Sequence, residues 1–389
     1  MSTPYDAATA AIEAAAPELL ELSHDIHSHP EIGFEERRAA ASTSELLEHA
    51  GFSVERGSCG IETAYVATFG TGAVRIGLCV EYDALPDVGH ACGHNVIAAS
   101  SVGAAIGLAA VAEQIGATVV ALGTPAEEGG GGKVLMMDGG AFDGLDVAMM
   151  VHTYPCDRLE ARCLAVDHFD VVYLGAEAHA SAAPWQGVNA SDAMTIAQVG
   201  IALLRQQLRP GDQVHGIITN GGSAANIIPA RVEARYMVRS IDADHLRDLR
   251  ARVNRCFEAG ALATGATLEL VDVGVPYTHM VSDAALLASY RRHAEGRGRR
   301  FELDDAGVAV PTLSTDMANV SLRFPAIHPL IGIDAGGAIN HQPAFAAACA
   351  TPSADAAVLD GAVALALTGI DVALDASLRE SLGAGLPSR

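Results

Sequence analysis

Positive charge is scarce in this chain: 24 Lys and Arg face 47 Asp and Glu, for a formal net charge of −23. A surface so short of cations does not suit phosphate backbones or anionic bilayers, so neither nucleic acid nor membrane is an expected partner. Long uncharged runs are few as well. The longest uncharged run, Val96 to Ala112, is largely Ala, Gly and Ser, is too short to span comfortably and lacks aromatic or basic flanks. It reads as a buried helix. Met1 to Leu22 lacks the basic start, unbroken apolar core and small-residue cleavage site of a signal peptide, so export is not expected. Cysteine is sparse, and its odd count of 7, scattered from Cys59 to Cys349, excludes a disulfide framework. A reducing cytoplasm is the expected compartment.

Apolar residues, by contrast, make up 50% of the chain, enough for it to fold, and 389 positions are too many for one core of ordinary size, so two domains, or one domain with an insertion, are expected. Helical spacing predicts a helix from Ala8 through Ile26 and another over Glu35 to Ala50, with His29-Pro30-Glu31-Ile32-Gly33-Phe34 between them. Runs of β character follow at Ala64 to Phe69, Val74 to Val80, Ala117 to Leu122 and Val147 to Val151. Helical or Gly-rich stretches separate the last three, as in an open α/β sheet. From about His168 the order becomes strand, helix, strand, strand, helix, strand, a βαββαβ unit of ferredoxin-like type. The expected fold is therefore α/β with two domains. A larger catalytic domain with a mixed sheet, residues 1–167 and 275–389, is interrupted by an inserted ferredoxin-like lid and dimerisation domain at 168–274.

Chemistry-bearing residues fall just past predicted strand ends. Asp83 follows the strand ending near Val80, Glu127 and Glu128 follow the one ending near Leu122, and His152 follows Val151. In open α/β sheets ligands bind at that edge. Cys92-Gly93-His94 can aim a thiolate and an imidazole at one ion, although such a pair alone is more often a buried thiol beside a hydrogen-bonded histidine. Adjacent carboxylates at a buried edge are costly without a cation. One of them can ligate while its neighbour acts as general base; the plain alternative is a solvated acidic turn. His152 and His341 each end an apolar stretch, where a satisfied structural histidine is the commoner outcome. Asp83 could orient a ligand histidine or form a turn before Pro86. Gly129 to Lys133 looks like a phosphate loop, but Glu127 occupies the first glycine position and Val134 replaces Ser or Thr, so nucleotide binding is not supported.

Taken together, ordered segments resemble the M20 peptidase family of two-metal amidohydrolases. They are HPEIGFEE (29–36), EYDALPDVGHACGHN (81–95), GTPAEEGGGG (123–132), VH (151–152), GAEAHASAAPW (175–185), NIIPARVEARYMVR (226–239), STDMANVS (314–321) and NHQPAF (340–345). The resemblance implies Cys92, His94, Glu128, His152 and His341 as ligands of two divalent metal ions, with Cys92 bridging and Glu127 as catalytic base. It implies that His179 reaches the site of a dimer partner and helps stabilise the oxyanion. Asn226 and Arg239 match residues that hold the substrate carboxylate, although Arg239 also fits the polar face of its strand. Glu81 and Asn95 stand where many relatives have Asp. With STDMANVS they resemble the p-aminobenzoyl-glutamate hydrolase and β-alanyl dipeptidase sub-branch.

The function this implies is hydrolysis of the amide bond of a small N-acyl or aminoacyl amino acid, p-aminobenzoyl-glutamate-like or a dipeptide. A metal-activated water attacks, with Glu127 as general base. An N-acetyl or other N-acyl amino acid deacylase is an alternative, and a non-catalytic protein that binds metal and peptide a more distant one. Zinc suits the Cys92 thiolate, and manganese the carboxylates and imidazoles. A homodimer is the expected assembly.

Overall fold

The N-terminal apolar stretch folds as two helices, α1 (Pro4–Ala14) and α2 (Ala16–Ser28), rather than the single one its periodicity predicts. Pro17 is the reason. It has no N–H to donate and its ring collides with the preceding turn, so the helix restarts with proline in its first turn. This computed structural model describes residues 3–301 and 312–386. Its chain divides into two compact units, Met1–Arg162 with Met280–Arg389, and Cys163–His279.

The first unit continues with α3 (Arg37–His49), β1 (Ser53–Arg56), β2 (Tyr65–Phe69), β3 (Val74–Glu81), α4 (His94–Ala109) and α5 (Ala112–Ile115). Then come β4 (Ala117–Thr124), α6 (Gly132–Asp138), β5 (Val147–Met149) and β6 (His152–Tyr154). A short strand β7 (Arg162–Cys163) leads to β8 (Ala165–Leu174), α7 (Ala190–Leu204), β9 (Gln213–Asn220), β10 (Arg231–Ser240), α8 (Ala243–Thr264) and β11 (Thr267–Asp272). The first unit resumes with α9 (Ala284–Gly296), β12 (Thr312–Leu313), α10 (Met317–Ser321), β13 (Ala326–Ile327) and β14 (Leu330–Gly332). It closes with α11 (Pro343–Ala348), α12 (Pro352–Leu374) and α13 (Ala376–Ser381).

The main sheet runs β1-β2-β4-β3-β5-β13. β1, β2 and β4 are antiparallel neighbours, whereas β4, β3, β5 and β13 run parallel, so the sheet is mixed. Strand β1 is short and mostly exposed and carries no apolar signal beyond Val54. The strand expected over Val147 to Val151 divides: β5 stays in the main sheet, and β6 leaves it to pair with β14. Helices α4 and α12 pack together in the core, where α4 is buried almost all round. Among the described residues α12 is the helix long and apolar enough to cross a membrane, and its apolar surface is largely buried against its neighbours.

The second unit is a four-stranded sheet in the order β11-β8-β10-β9, antiparallel throughout. Phe169, Tyr173, Tyr236, Val253 and Phe257 lie in the core between this sheet and helices α7 and α8. The burial of β10 alternates along its length, as a sheet with one covered face requires.

Candidate metal centre

Because β3, β4, β5 and β13 are parallel, their C-terminal ends share one edge of the sheet. Glu81 ends β3, Glu127 and Glu128 follow β4, His152 follows β5, and His328 follows β13. Cys92 and His94 arrive on the loop that enters α4. Gly93 caps that helix with φ 70, and a Cβ there would lie 2.2 Å from Thr153 Oγ1, so only glycine lets the loop press against β6. The Thr153 hydroxyl donates to the Cys92 carbonyl and ties the two segments together. His341 has φ 69, and its N–H donates to the Ala91 carbonyl at 2.9 Å.

Among the described residues the donor atoms form three groups, each within 4.8 Å: Cys92, His94 and His152; Cys92, Glu128 and His341; Glu81, His94 and Glu127. Cys92 belongs to the first two. His94 Nδ1 donates to the Asp83 carbonyl at 2.6 Å, and His152 Nδ1 to the Thr153 carbonyl at 2.8 Å. Since a carbonyl only accepts, each ring carries a proton on Nδ1, so Nε2 is the nitrogen whose lone pair the neutral ring would offer to an ion. Asp83 also accepts from the Glu128 N–H at 2.9 Å, linking the β3 and β4 loops. His341 is the outlier in burial, with 62% of its side chain exposed and Nε2 at 3.7 Å from Glu128 Oε2.

The electrostatics of the cluster call for cations. Burial, then the Glu81 and Glu128 charges, push the Glu127 carboxyl well above its usual range. Burial, then Glu128, does the same to the Cys92 thiol. Burial opposes charge on His94, but Glu81 and Asp83 outweigh it and hold its pKa well above the usual value. His152, desolvated and facing His328, falls to about 3. Buried Glu81 Oε1, Asp83 Oδ1, His94 Nε2 and Glu128 Oε1 make no hydrogen bond. Such atoms are expensive unless a cation meets them, and a divalent ion would undo the rises at Glu127, Cys92 and His94, keeping the thiolate and carboxylates ionised and the imidazoles neutral. The residues present therefore fit a divalent metal.

Several members of this cluster carry no site role in the sequence alone. Lys133 is fully buried, and its Nζ donates to Glu81 Oε2 at 2.5 Å and Asp316 Oδ1 at 2.7 Å. The lysine of the apparent phosphate loop is thus turned inward against carboxylates. His328 lies 5.1 Å from His152 between ring centroids. Sequence offered little for His328, because its strand is two residues long. For Lys133 and Asp316 a signal existed in their apolar neighbours, Val134 to Met137 and Met317 to Val320.

The remaining expected residues lie in the second unit. His179 Nδ1 accepts from the Ser181 and Ala182 N–H groups at 3.3 and 3.2 Å, so its proton sits on the exposed Nε2 as a donor. Asn226 is its neighbour, its carbonyl accepting from Ala180 N–H at 2.9 Å. Arg239 is not brought to them. In the register of β10 on β8, Arg231 opposes Leu174 and Arg239 opposes Val166. Arg239 therefore stands about 26 Å along the strand from the end where His179 and Asn226 lie.

The sequence profile described as Peptidase family M20/M25/M40 matches residues 77–359. The chain belongs to this family of metal-dependent hydrolases, which act on amide C–N bonds. It is 39% identical to the Xaa-Arg dipeptidase of Mus musculus over 95% of its own length and 89% of that protein. It is 34% identical to one of the subunits of p-aminobenzoyl-glutamate hydrolase from Escherichia coli (strain K12), over 67% of this chain and 58% of that one. In fold it is similar to the YXEP protein of Bacillus subtilis, described as a dinuclear metal binding peptidase from the M20 family. That match has a TM-score of 0.69 at 20% identity, covering 92% of this chain and 99% of that one.

Proposed function

We propose that this chain is a two-metal hydrolase that cleaves the amide bond of a dipeptide or a small N-acyl amino acid, with Glu127 as general base. The observation that carries this reading is the convergence of thiol, imidazole and carboxylate donors on one buried strand edge. Cys92, His94, Glu128, His152 and His341 would hold two divalent cations, Cys92 being common to both groups. When bound, the cations make water acidic and polarise the scissile carbonyl. Glu127 takes the proton of the attacking water and passes it to the leaving amine. Asp83 fixes the tautomer of His94.

Unit Cys163–His279 supports the ferredoxin-like insertion expected at 168–274, through its strand–helix order and its antiparallel sheet. We assign His179 to the oxyanion, which its Nε2–H suits, and Asn226 and Arg239 to the substrate carboxylate. Asn226 and Arg239 sit too far apart in one unit to hold one carboxylate together, so they act on it from different subunits of a homodimer. Exposed Ile196, Val199 and Leu203 on α7 and Ile217 and Ile218 on edge strand β9 suit such an interface. The free thiols suit a cytoplasmic location.

A dipeptide is placed first among substrates because the similarity to the mouse dipeptidase runs through most of both chains. The test is metal-loaded enzyme, with zinc or manganese, assayed on Xaa-Arg dipeptides, p-aminobenzoyl-glutamate and N-acetyl amino acids. Glu127→Ala is expected to lose a factor of about 10²–10⁴ in turnover while elemental analysis still finds its metal. Undiminished turnover in that variant sinks the assignment.

A further inference from the structure

The third donor group, Glu81, His94 and Glu127, is not accounted for by the ligand set above. Glu81 is fully buried at the end of β3, and its two oxygens have different surroundings. Oε2 accepts from Lys133 Nζ at 2.5 Å. Oε1 lies 3.0 Å from His94 Nε2 and makes no hydrogen bond, nor does that nitrogen. With one ring proton held on Nδ1 by the Asp83 carbonyl, a neutral His94 would set its Nε2 lone pair against a carboxylate oxygen in a dry site. That arrangement is repulsive unless a second proton or a metal ion lies against both. Glu81 Oε1 is also nearer to His94 Nε2 than Glu128 Oε1 at 3.8 Å or Glu127 Oε2 at 3.9 Å.

We propose that Glu81 is a further donor to the metal ion held by His94, an inference that rests on the two-metal reading of the site. Lys133 and Asp316 set the geometry. The Lys133 amide donates to Asp316 Oδ2 at 2.9 Å and its ammonium to Asp316 Oδ1 at 2.7 Å, which fixes the ammonium against Glu81 Oε2. One oxygen of Glu81 is thereby satisfied and the other is left pointing at His94. A carboxylate serving only as counter-charge to a buried lysine would have no reason to set its second oxygen 3.0 Å from His94 Nε2 with no hydrogen bond between them. An added carboxylate oxygen makes this ion's surroundings harder and favours manganese over zinc there.

Metal-free enzyme titrated with Mn²⁺ against a chelating indicator provides the test. Wild type is expected to bind two ions; a wild type that binds none removes the two-metal reading itself, a different failure from that of Glu81. Glu81→Gln keeps the side chain's size and its acceptor for Lys133. It is expected to bind one of the two ions more than about 100-fold more weakly, beyond the ~10–100-fold that loss of an outer partner costs, with the other ion unchanged. Lys133→Gln is expected to keep both ions while its melting temperature falls. Equal loss of an ion in both variants would reduce Glu81 and Lys133 to a structural prop and overturn the proposal. So would wild-type affinity for both ions in Glu81→Gln. Should that variant fail to fold, a crystal structure of metal-loaded wild type decides the matter. Glu81 Oε1 at about 2.0–2.2 Å from the ion supports the proposal, and Oε1 outside that sphere overturns it.

Discussion

Single backbone conformations decide how closely the donors of this site approach. Gly93 separates Cys92 from His94 with φ 70 and no room for a Cβ beside Thr153. Gly93→Ala is expected to cost about 1–3 kcal/mol in strain and to displace both flanking donors, so melting temperature and metal affinity should fall together. A variant that melts and binds metal as wild type does would show that the loop has slack. The four-glycine run after Glu128 looks loose as sequence, yet Gly132 is pressed to within what would be 1.9 Å of the Pro125 carbonyl. Ala126 and His341 adopt positive φ of 56 and 69 without being glycine, strain of a kind that accumulates at functional sites. Residue by residue, the candidate donor types were legible, but the task of Lys133 was not: its apolar neighbours signal burial, and nothing in a glycine-rich stretch reveals that its lysine faces a carboxylate from another strand.

At the scale of elements, the segment from His29 to Glu36 acts as a brace. The Glu31 carboxylate accepts from the Arg38 and Ala39 N–H groups and caps α3. Glu36 Oε1 accepts from Ala126 N–H at 2.8 Å, holding the strained residue that precedes Glu127. Burial, then the Asp83 charge, raise the Glu36 carboxyl from 4.5 to about 7. The folded protein therefore keeps a proton that the unfolded chain has released, so this group lowers stability as pH rises from about 4.5 to about 7. The slope is at most about 1.4 kcal/mol per pH unit. Glu36→Gln is expected to flatten the unfolding free energy across that window, measured by denaturant titration; an unchanged pH profile would contradict it. The motif was visible in the sequence, but its task was not, because the loop it braces lies some ninety positions away.

For the whole molecule, Asp371 in α12 joins the first and last parts of the larger unit. It accepts from Tyr5 Oη at 2.8 Å, Ser289 Oγ at 2.5 Å, Arg292 at 2.9 Å and His293 Nε2 at 2.8 Å. Burial opposes its charge, but hydrogen bonds from His293, Ser289 and Tyr5 bring its pKa down from 3.8 to about 2. Its contribution is present above the unfolded value and disappears as pH falls from 3.8 through about 2. Asp371→Asn is expected to lose roughly 2 kcal/mol at pH 7, with little further loss on acidification, as chemical unfolding at both pH values would report. Assembly offers a second prediction at this scale. If Asn226 and Arg239 act from different subunits, Asn226→Ala and Arg239→Ala variants should each be nearly inactive, and their mixture after subunit exchange should regain activity. A mixture no better than its components would place both residues in the same subunit's service.

The sequence by itself determined the α/β class, the segments that carry the candidate donors and the family, because strand ends and short motifs are local patterns with fixed spacing. Tertiary structure alone decided which oxygen meets which nitrogen. Glu81, Lys133 and Asp316 lie on separate elements, and only the parallel order of β3, β4 and β13 with the packing of α6 brings them together. It also decided that Asn226 and Arg239 stand at opposite ends of one sheet, since pairing register is a relation between strands that neither strand carries alone.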